Sequence, residues 1–242
     1  MTTPSPDFAL PSPQHDGAVS RHRRVPLWAI PGVALIAVIV GGLLFYRFMP
    51  LAAPIMADAG AEYAGLAQGY TDRGFPRLGN PDAPIVVEEF LSFACPHCRE
   101  FHEQWFPDLL DQIASGQVQF VAIPVSSIGW GAGSAAKGAL CAGEQGQFWK
   151  MHDVLFDWQK RFITSTFNER RIRNGANNMG LDTAAFDTCM SEDHPEAVLD
   201  AAQTAFRQRG LAGTPTLFIN GEQVRDYREL EHLSNSFPHE AS

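Results

Sequence analysis

The sequence predicts an α/β domain interrupted by an all-helical insertion and preceded by one transmembrane helix. Three patterns lead there. Apolar residues over Ile85–Phe93, a helical pattern from Pro96 and a second apolar run, Gln117–Pro124, make a strand–helix–strand unit of the parallel, right-handed kind. A long stretch, about 132–192, is mainly helical in pattern before strand character returns. Near the N-terminus, the 22 residues Val25–Tyr46 carry no charge.

Residues 1–24 open with a Pro-, Ser- and Thr-rich stretch and end on Arg21-His22-Arg23-Arg24, which reads as a disordered cytoplasmic tail. As a helix, Val25–Tyr46 is about 33 Å long, enough for a bilayer core. Three arginines before it against Arg47 after it orient the N-terminus inside and the rest outside. The expectation is a signal-anchor over 25–46. The alternative is a cleaved signal peptide, with Pro31 shortening the apolar core and the cut near Leu51–Ala53 or Ile55–Ala57. Both readings export the remainder. Residues 47–77, rich in Ala and Gly, are expected as a linker with a reach on the order of 30 Å and a short helix near Ala61–Gln68.

The folded domain is expected over 78–238. Gly79–Pro84 supplies turn chemistry. Ile85–Phe93 is apolar on both faces except at Glu88 and Glu89, as in a central strand covered on both sides. Phe101, Trp105, Leu109 and Ile113 then fall at i, i+4 steps on one helix, which Pro107 should kink. In the insertion, Phe148, Met151, Leu155 and Trp158 mark an apolar helix face. Pro195 at the first helical position, capped by Asp193 or His194, starts a helix ending at Arg209-Gly210. Thr216–Ile219, Asn220-Gly221 and Glu222–Val224 read as a hairpin with a type I′ turn, and a last helix spans about 226–233. The net charge of −9, from 18 basic and 27 acidic residues with no Lys/Arg cluster in the folded part, argues against nucleic acid as a partner.

Chemistry concentrates in Phe93-Ala94-Cys95-Pro96-His97-Cys98, at the strand-to-helix junction. A Cys-x-x-Cys there has the pattern of a redox-active dithiol. Cys95 at the helix start meets unpaired N–H groups and the positive end of the helix dipole, which favour its thiolate. It is the expected nucleophile, with Cys98 one turn further in as the resolving thiol. Pro96 suits the first turn, and His97 adds an imidazole that can stabilise the thiolate. A stabilised thiolate leaves readily and makes the disulfide oxidising. A zinc site of Cys95, Cys98 and His102 is the rival reading, but no second Cys pair completes it. Haem attachment needs a histidine where Arg99 stands. Cys141 and Cys189, 48 residues apart in an exported chain, are expected to form a structural disulfide; two separate buried thiols are the alternative. The other histidines of the folded part (His102, His152, His194, His232, His239) share no ligand spacing and are read as surface or core residues.

Phe-Ala-Cys-Pro-His-Cys, the strand carrying Glu89 six residues before Cys95, and Gly213-Thr214-Pro215-Thr216 together resemble the DsbA-like thiol–disulfide oxidoreductases, over roughly Leu78–Phe237. The resemblance implies a thioredoxin-like fold with the helical subdomain inserted. It makes Pro215 a cis-proline packed against the dithiol and Thr214 the residue nearest the substrate; a trans proline opening a strand is the alternative. It makes Glu89 the buried acid beneath Cys98, exchanging a proton with it; a solvated strand residue is the alternative. It further implies no metal or organic cofactor, exported protein thiols as substrates and a quinone-linked membrane reoxidase. The protein would then sit in a bacterial cell membrane with its domain on the periplasmic side, or be released there by signal cleavage. The same site run as a reductase or isomerase, and a peptide-binding chaperone module without turnover, are the competing functions.

Overall fold

The computed structural model describes residues 29–48, 51–162, 166–231 and 233. It divides into two compact units, Met1–Met49 and Pro50–Ser242. In the first, a single helix α1 (Ala29–Phe48) is described, with Gly32 and residues 35–45 exposed. Among the described residues, no helix is long and apolar enough to cross a membrane. The transmembrane helix expected over 25–46 is therefore not shown; Val25–Trp28 and the tail 1–24 lie outside the described residues.

In the second unit, β1 (Gln68–Tyr70), β2 (Pro76–Leu78), β3 (Ile85–Leu91), β4 (Val118–Pro124), β5 (Thr216–Ile219) and β6 (Glu222–Gln223) form one sheet in the order β1-β2-β4-β3-β5-β6. The central strand β3 runs parallel to β4, from Ile85 opposite Val118 to Leu91 opposite Pro124, and antiparallel to β5. Alternation along β3 sends neighbouring residues to opposite faces. Glu88 meets Arg209 at 2.8 Å, whereas Glu89 turns to the other face and is fully buried. Both faces are covered, as the apolar strand requires. The covering helices are α2 (Pro96–Gln104), α3 (Phe106–Ala114), α5 (Phe148–Arg161) and α8 (Asp193–Gln208). Phe206 of α8 packs on Phe90 at 6.0 Å between ring centroids, on the Glu88 face, and Phe106 of α3 on Phe120 of β4 at 4.7 Å. The thioredoxin-like arrangement with a helical insertion is thus present. The insertion consists of α4 (Ala132–Gly143), α5, α6 (Glu169–Asn178) and α7 (Thr183–Ser191), with α8 returning the chain to the sheet.

Several boundaries differ from expectation. The helix after the dithiol is not kinked but divided: α2 ends at Gln104 and α3 starts at Phe106, with Trp105 between them at φ −115°. Pro107 has no N–H to continue the helix and falls in the first turn of α3, where none is needed. α8 starts at Asp193 after Glu192, two residues before Pro195. The expected last helix shrinks to a 3₁₀ turn, Tyr227–Leu230, held by a capping box between Asp226 and Glu229. The type I′ hairpin is confirmed, with φ 47° at Asn220 and 88° at Gly221.

The largest correction concerns the linker. Residues 51–77 are part of the second unit. The carbonyls of Leu51, Ala52, Ala53 and Pro54 accept hydrogen bonds from Asn174, Arg171, Asn178 and Trp158 at 2.8–3.0 Å. A 3₁₀ turn, Ala61–Tyr63, replaces the short helix, and Tyr63 is 1 % exposed. β1 and β2 then add two strands to the β4 side of the sheet. Side chains of the insertion capture this backbone, so its small-residue composition does not leave it free.

Candidate active site

Cys95 occupies the N-cap of α2 in extended conformation (φ −88°, ψ 120°), immediately before Pro96 in the first turn. Its N–H donates to the Ser92 carbonyl at 3.0 Å, closing the turn out of β3. The Cys95 and Cys98 thiols are unjoined. Cys98 has no exposure, and its Sγ accepts the Ser92 N–H at 3.3 Å. Pro96 and His97 are exposed. The Cys95 Sγ lies 3.1 Å from the Thr214 carbonyl oxygen, and the Thr214–Pro215 bond is cis. Two segments more than 100 residues apart thus meet at one sulfur.

The two thiols differ sharply. A hydrogen bond from the Cys98 thiol, helped by Thr214 and by the N–H groups of Cys98 and His97, pulls Cys95 down to about 4, against the opposing effect of burial. Burial pushes Cys98 well above the ordinary thiol value, and Cys95 and Glu89 add to the push. At neutral pH the reduced pair is a Cys95 thiolate accepting from a Cys98 thiol.

Burial pushes Glu89 up to about 8, so it is largely protonated near neutrality. Its Oε2 lies 2.7 Å from Nε2 of His102, which burial pulls down to about 3. This contact is therefore a hydrogen bond between neutral groups and not an ion pair. Among the described residues no group of three or more His, Cys, Asp or Glu could hold a metal ion.

Beside the dithiol, His97, Phe101, Trp105, Thr214, Pro215 and Tyr227 line a cavity of about 310 Å³. On another flank, Ser92 donates from Oγ to the Ile128 carbonyl at 2.6 Å, and Gly129 (φ 90°) lies so close to Ala94 that a Cβ there would be 2.6 Å from Ala94 Cβ. Only glycine permits that approach. The next residue, Trp130, is 95 % exposed. Cys141 on α4 and Cys189 on α7 form the expected disulfide, with Cα atoms 5.7 Å apart.

The residues expected at the site are thus brought together: Cys95, Pro96, His97 and Cys98 on one turn, Thr214 and Pro215 against Cys95, and Glu89 on the strand below. Ser92, Trp130 and His152 were missed as site neighbours, and His102, weighed as a zinc ligand, meets Glu89 instead. The histidines had a signal: each is a titratable residue within an apolar helix face, between Phe101 and Phe106 and between Phe148 and Phe156.

A strand-to-helix dithiol facing a cis-proline defines a thiol–disulfide exchange site on a thioredoxin fold. Comparison with known proteins agrees. The family model described as thioredoxin matches residues 71–236. A putative protein-disulfide oxidoreductase of Rickettsia bellii is 29 % identical over 158 residues, covering 62 % of this chain and 58 % of that protein. The disulfide bond formation protein D of Bacillus subtilis is 25 % identical over 181 residues, covering 69 % of this chain and 78 % of its own length. A solved thioredoxin-like oxidoreductase from Silicibacter pomeroyi DSS-3 is 26 % identical, with a TM-score of 0.57 over 69 % of this chain and 91 % of that one. The chain belongs to the thioredoxin family, and it spans 54–59 % of the length of the Rickettsia relatives it matches.

Proposed function

We propose that this enzyme is exported, held at the membrane by its N-terminal apolar segment, and introduces disulfides into exported proteins. The observation that carries the reading is the asymmetry of the pair: Cys95 is stabilised as a thiolate while Cys98 is sealed beneath it as a thiol. A stabilised Cys95 thiolate is a good leaving group and favours the reduced enzyme, so the disulfide form is driven to oxidise others. A substrate thiolate attacks Cys95, forming a mixed disulfide and expelling Cys98 as a thiolate. Cys98 then takes a proton, for which Glu89 is the proposed donor. The second substrate thiolate attacks the substrate sulfur, forms the product disulfide and releases the Cys95 thiolate. Two electrons have passed to the enzyme, and a quinone-linked membrane protein would remove them. The cysteines hold these electrons themselves, so the proposed reaction calls for no metal or organic cofactor.

Thr214 and Pro215 would contact the substrate chain, and the exposed Trp130 beside Ala94 suits an unfolded polypeptide. The Cys141–Cys189 disulfide supports an oxidising compartment. For the anchor, the support is the uncharged run 25–46 between Arg21-His22-Arg23-Arg24 and Arg47. The oxidised enzyme mixed with a reduced two-cysteine peptide should convert it to the disulfide form in stoichiometric yield, and Cys95→Ser should abolish this. A peptide that stays reduced contradicts the oxidase reading. The full chain should sediment with membranes and resist alkaline extraction; release into the soluble fraction contradicts the anchor.

A further inference from the structure

Behind Glu89 lies a line of buried polar groups that the exchange reaction, as described, leaves unused. His102 Nε2 of α2 meets Glu89 Oε2 at 2.7 Å and His152 Nε2 of α5 at 3.4 Å. His152 Nδ1 lies 3.1 Å from Asp153 Oδ1, which also accepts the Tyr63 hydroxyl at 2.7 Å; Asp153 Oδ2 accepts the Gly60 N–H at 2.8 Å. The side chains of His102 and His152 are 6 % and 1 % exposed, whereas that of Asp153 reaches 15 %. His102, His152 and Asp153 line a cavity of about 400 Å³ that opens between Asp58, Arg99, Glu103 and Lys160. A chain of hydrogen-bonding atoms therefore runs from the buried carboxyl to an open cavity that none of Cys95, Cys98, Thr214 and Pro215 lines.

The arrangement of protons sets what this line can do. With Asp153 accepting from His152 Nδ1–H, the neutral His152 presents a bare Nε2 to His102. Glu89 Oε2, His102 Nε2 and His152 Nε2 then converge, and only a proton shared among them satisfies all three. Two further buried atoms, Glu89 Oε1 and His102 Nδ1, have no partner among the described residues, which leaves Glu89 Oε1 uncommitted. Isolated buried histidines are costly. Two of them in contact, joined to a carboxyl at one end and to an opening at the other, form a conduit.

We propose that His102, His152 and Asp153 relay protons between Glu89 and the cavity, so that Cys98 can be protonated and deprotonated while substrate covers the dithiol. This rests on the exchange reaction above, in either direction. When Cys98 leaves as a thiolate, Glu89 gives it a proton and becomes a carboxylate. His152 then takes a proton from water in the cavity at its bare Nε2, while Asp153 holds Nδ1–H and balances the charge. His152 passes that proton to His102 Nε2, and His102 passes it on to Glu89. Re-formation of the Cys95–Cys98 disulfide runs the same transfers backwards and returns the proton to solvent. Each catalytic cycle takes one proton in and passes one out, with no net change in the relay.

The three relay residues are positioning and proton-carrying groups, and none touches the substrate. The test compares wild type, Glu89→Gln, His102→Gln, His152→Gln, Asp153→Asn and Glu89→Gln/His152→Gln. Stopped-flow rates of reduction by a dithiol peptide and of reoxidation are measured from pH 5 to 9, in water and deuterium oxide. The other titratable groups facing the line are Tyr63, Cys95, Cys98 and Tyr227, with Asp58, Glu62, Arg99, Glu103, Asp157 and Lys160 around the opening; all are unchanged in every variant. His152→Gln should slow both directions near neutrality by about tenfold, flatten the pH profile and reduce the solvent isotope effect. The double variant should be no slower than Glu89→Gln, and added imidazole should restore part of the His152→Gln rate. A His152→Gln enzyme with the wild-type rate and pH profile overturns the relay, as does a defect that multiplies that of Glu89→Gln. If His102→Gln does not fold, His152→Gln and Asp153→Asn still decide. Because both directions are read, an enzyme that proves to be a reductase would refute the oxidase reading and leave the relay intact.

Discussion

Lowering the pH should remove stability from the reduced enzyme that the oxidised enzyme never had. In the folded reduced protein Cys95 titrates at about 4, whereas in the unfolded chain it titrates near 8.5. Between these values the native state holds a thiolate and the unfolded state a thiol, so unfolding takes up one proton. Stability of the reduced form therefore rises with pH, by up to about 1.4 kcal/mol per unit. The contribution is fully present above the unfolded value and lost as the pH falls through about 4. From pH 8 to 5 this amounts to at most about 4 kcal/mol, an upper bound because solvent near the sulfur screens the effect. Cys98, pushed up, remains a thiol over the same range. Glu89, raised to about 8, acts with the opposite sign. It is present in both redox forms, however, so their difference removes all but the part of its shift that the Cys95 charge adds. Urea unfolding of both forms at half-unit pH steps, with the Cys141–Cys189 bond verified intact by mass spectrometry, gives the difference directly. A gap between the two forms that stays constant from pH 5 to 8 would refute the reasoning.

Three further outcomes concern the scaffold. Replacing Cys141 and Cys189 by Ala opens a loop of 48 residues and should cost about 4 kcal/mol in urea unfolding; an unchanged midpoint contradicts a stabilising role. Gly175→Ala places a methyl 2.4 Å from the Trp158 ring and should cost about 1–3 kcal/mol, seen as a lower melting temperature. A chain starting at Gln68 instead of Pro50 loses Tyr63 from the core and four captured carbonyls, and should be less stable by about 3 kcal/mol or more. Equal stability of the two chains would restore the linker reading of 47–77.

What was legible in the sequence was local. β3 announces itself by continuous apolar residues, the dithiol by its position after them, and the hairpin by Asn220-Gly221, whose positive φ angles few other pairs adopt. Thr214-Pro215 and the Cys141–Cys189 pairing were also readable, the first from its motif and the second from cysteine count and compartment. What was hidden depends on distant partners. Residues 51–77 have no periodicity of their own, and they are held by Trp158, Arg171, Asn174 and Asn178, more than 100 positions away. β1 and β2 are three residues each, too short to show alternation. His102 and His152 are 50 positions apart, so neither hints at the other. The break at Trp105 follows from Pro107, which divides the helix where a kink was expected.

The equilibrium reduction potential of the Cys95–Cys98 pair against glutathione at pH 7 tests the central claim most directly. Each 30 mV corresponds to about 1.4 kcal/mol for this two-electron couple, so a thiolate stabilised as Cys95 is should move the potential well above that of glutathione. A potential well below the glutathione couple would contradict the oxidase account and make the same site that of a reductase.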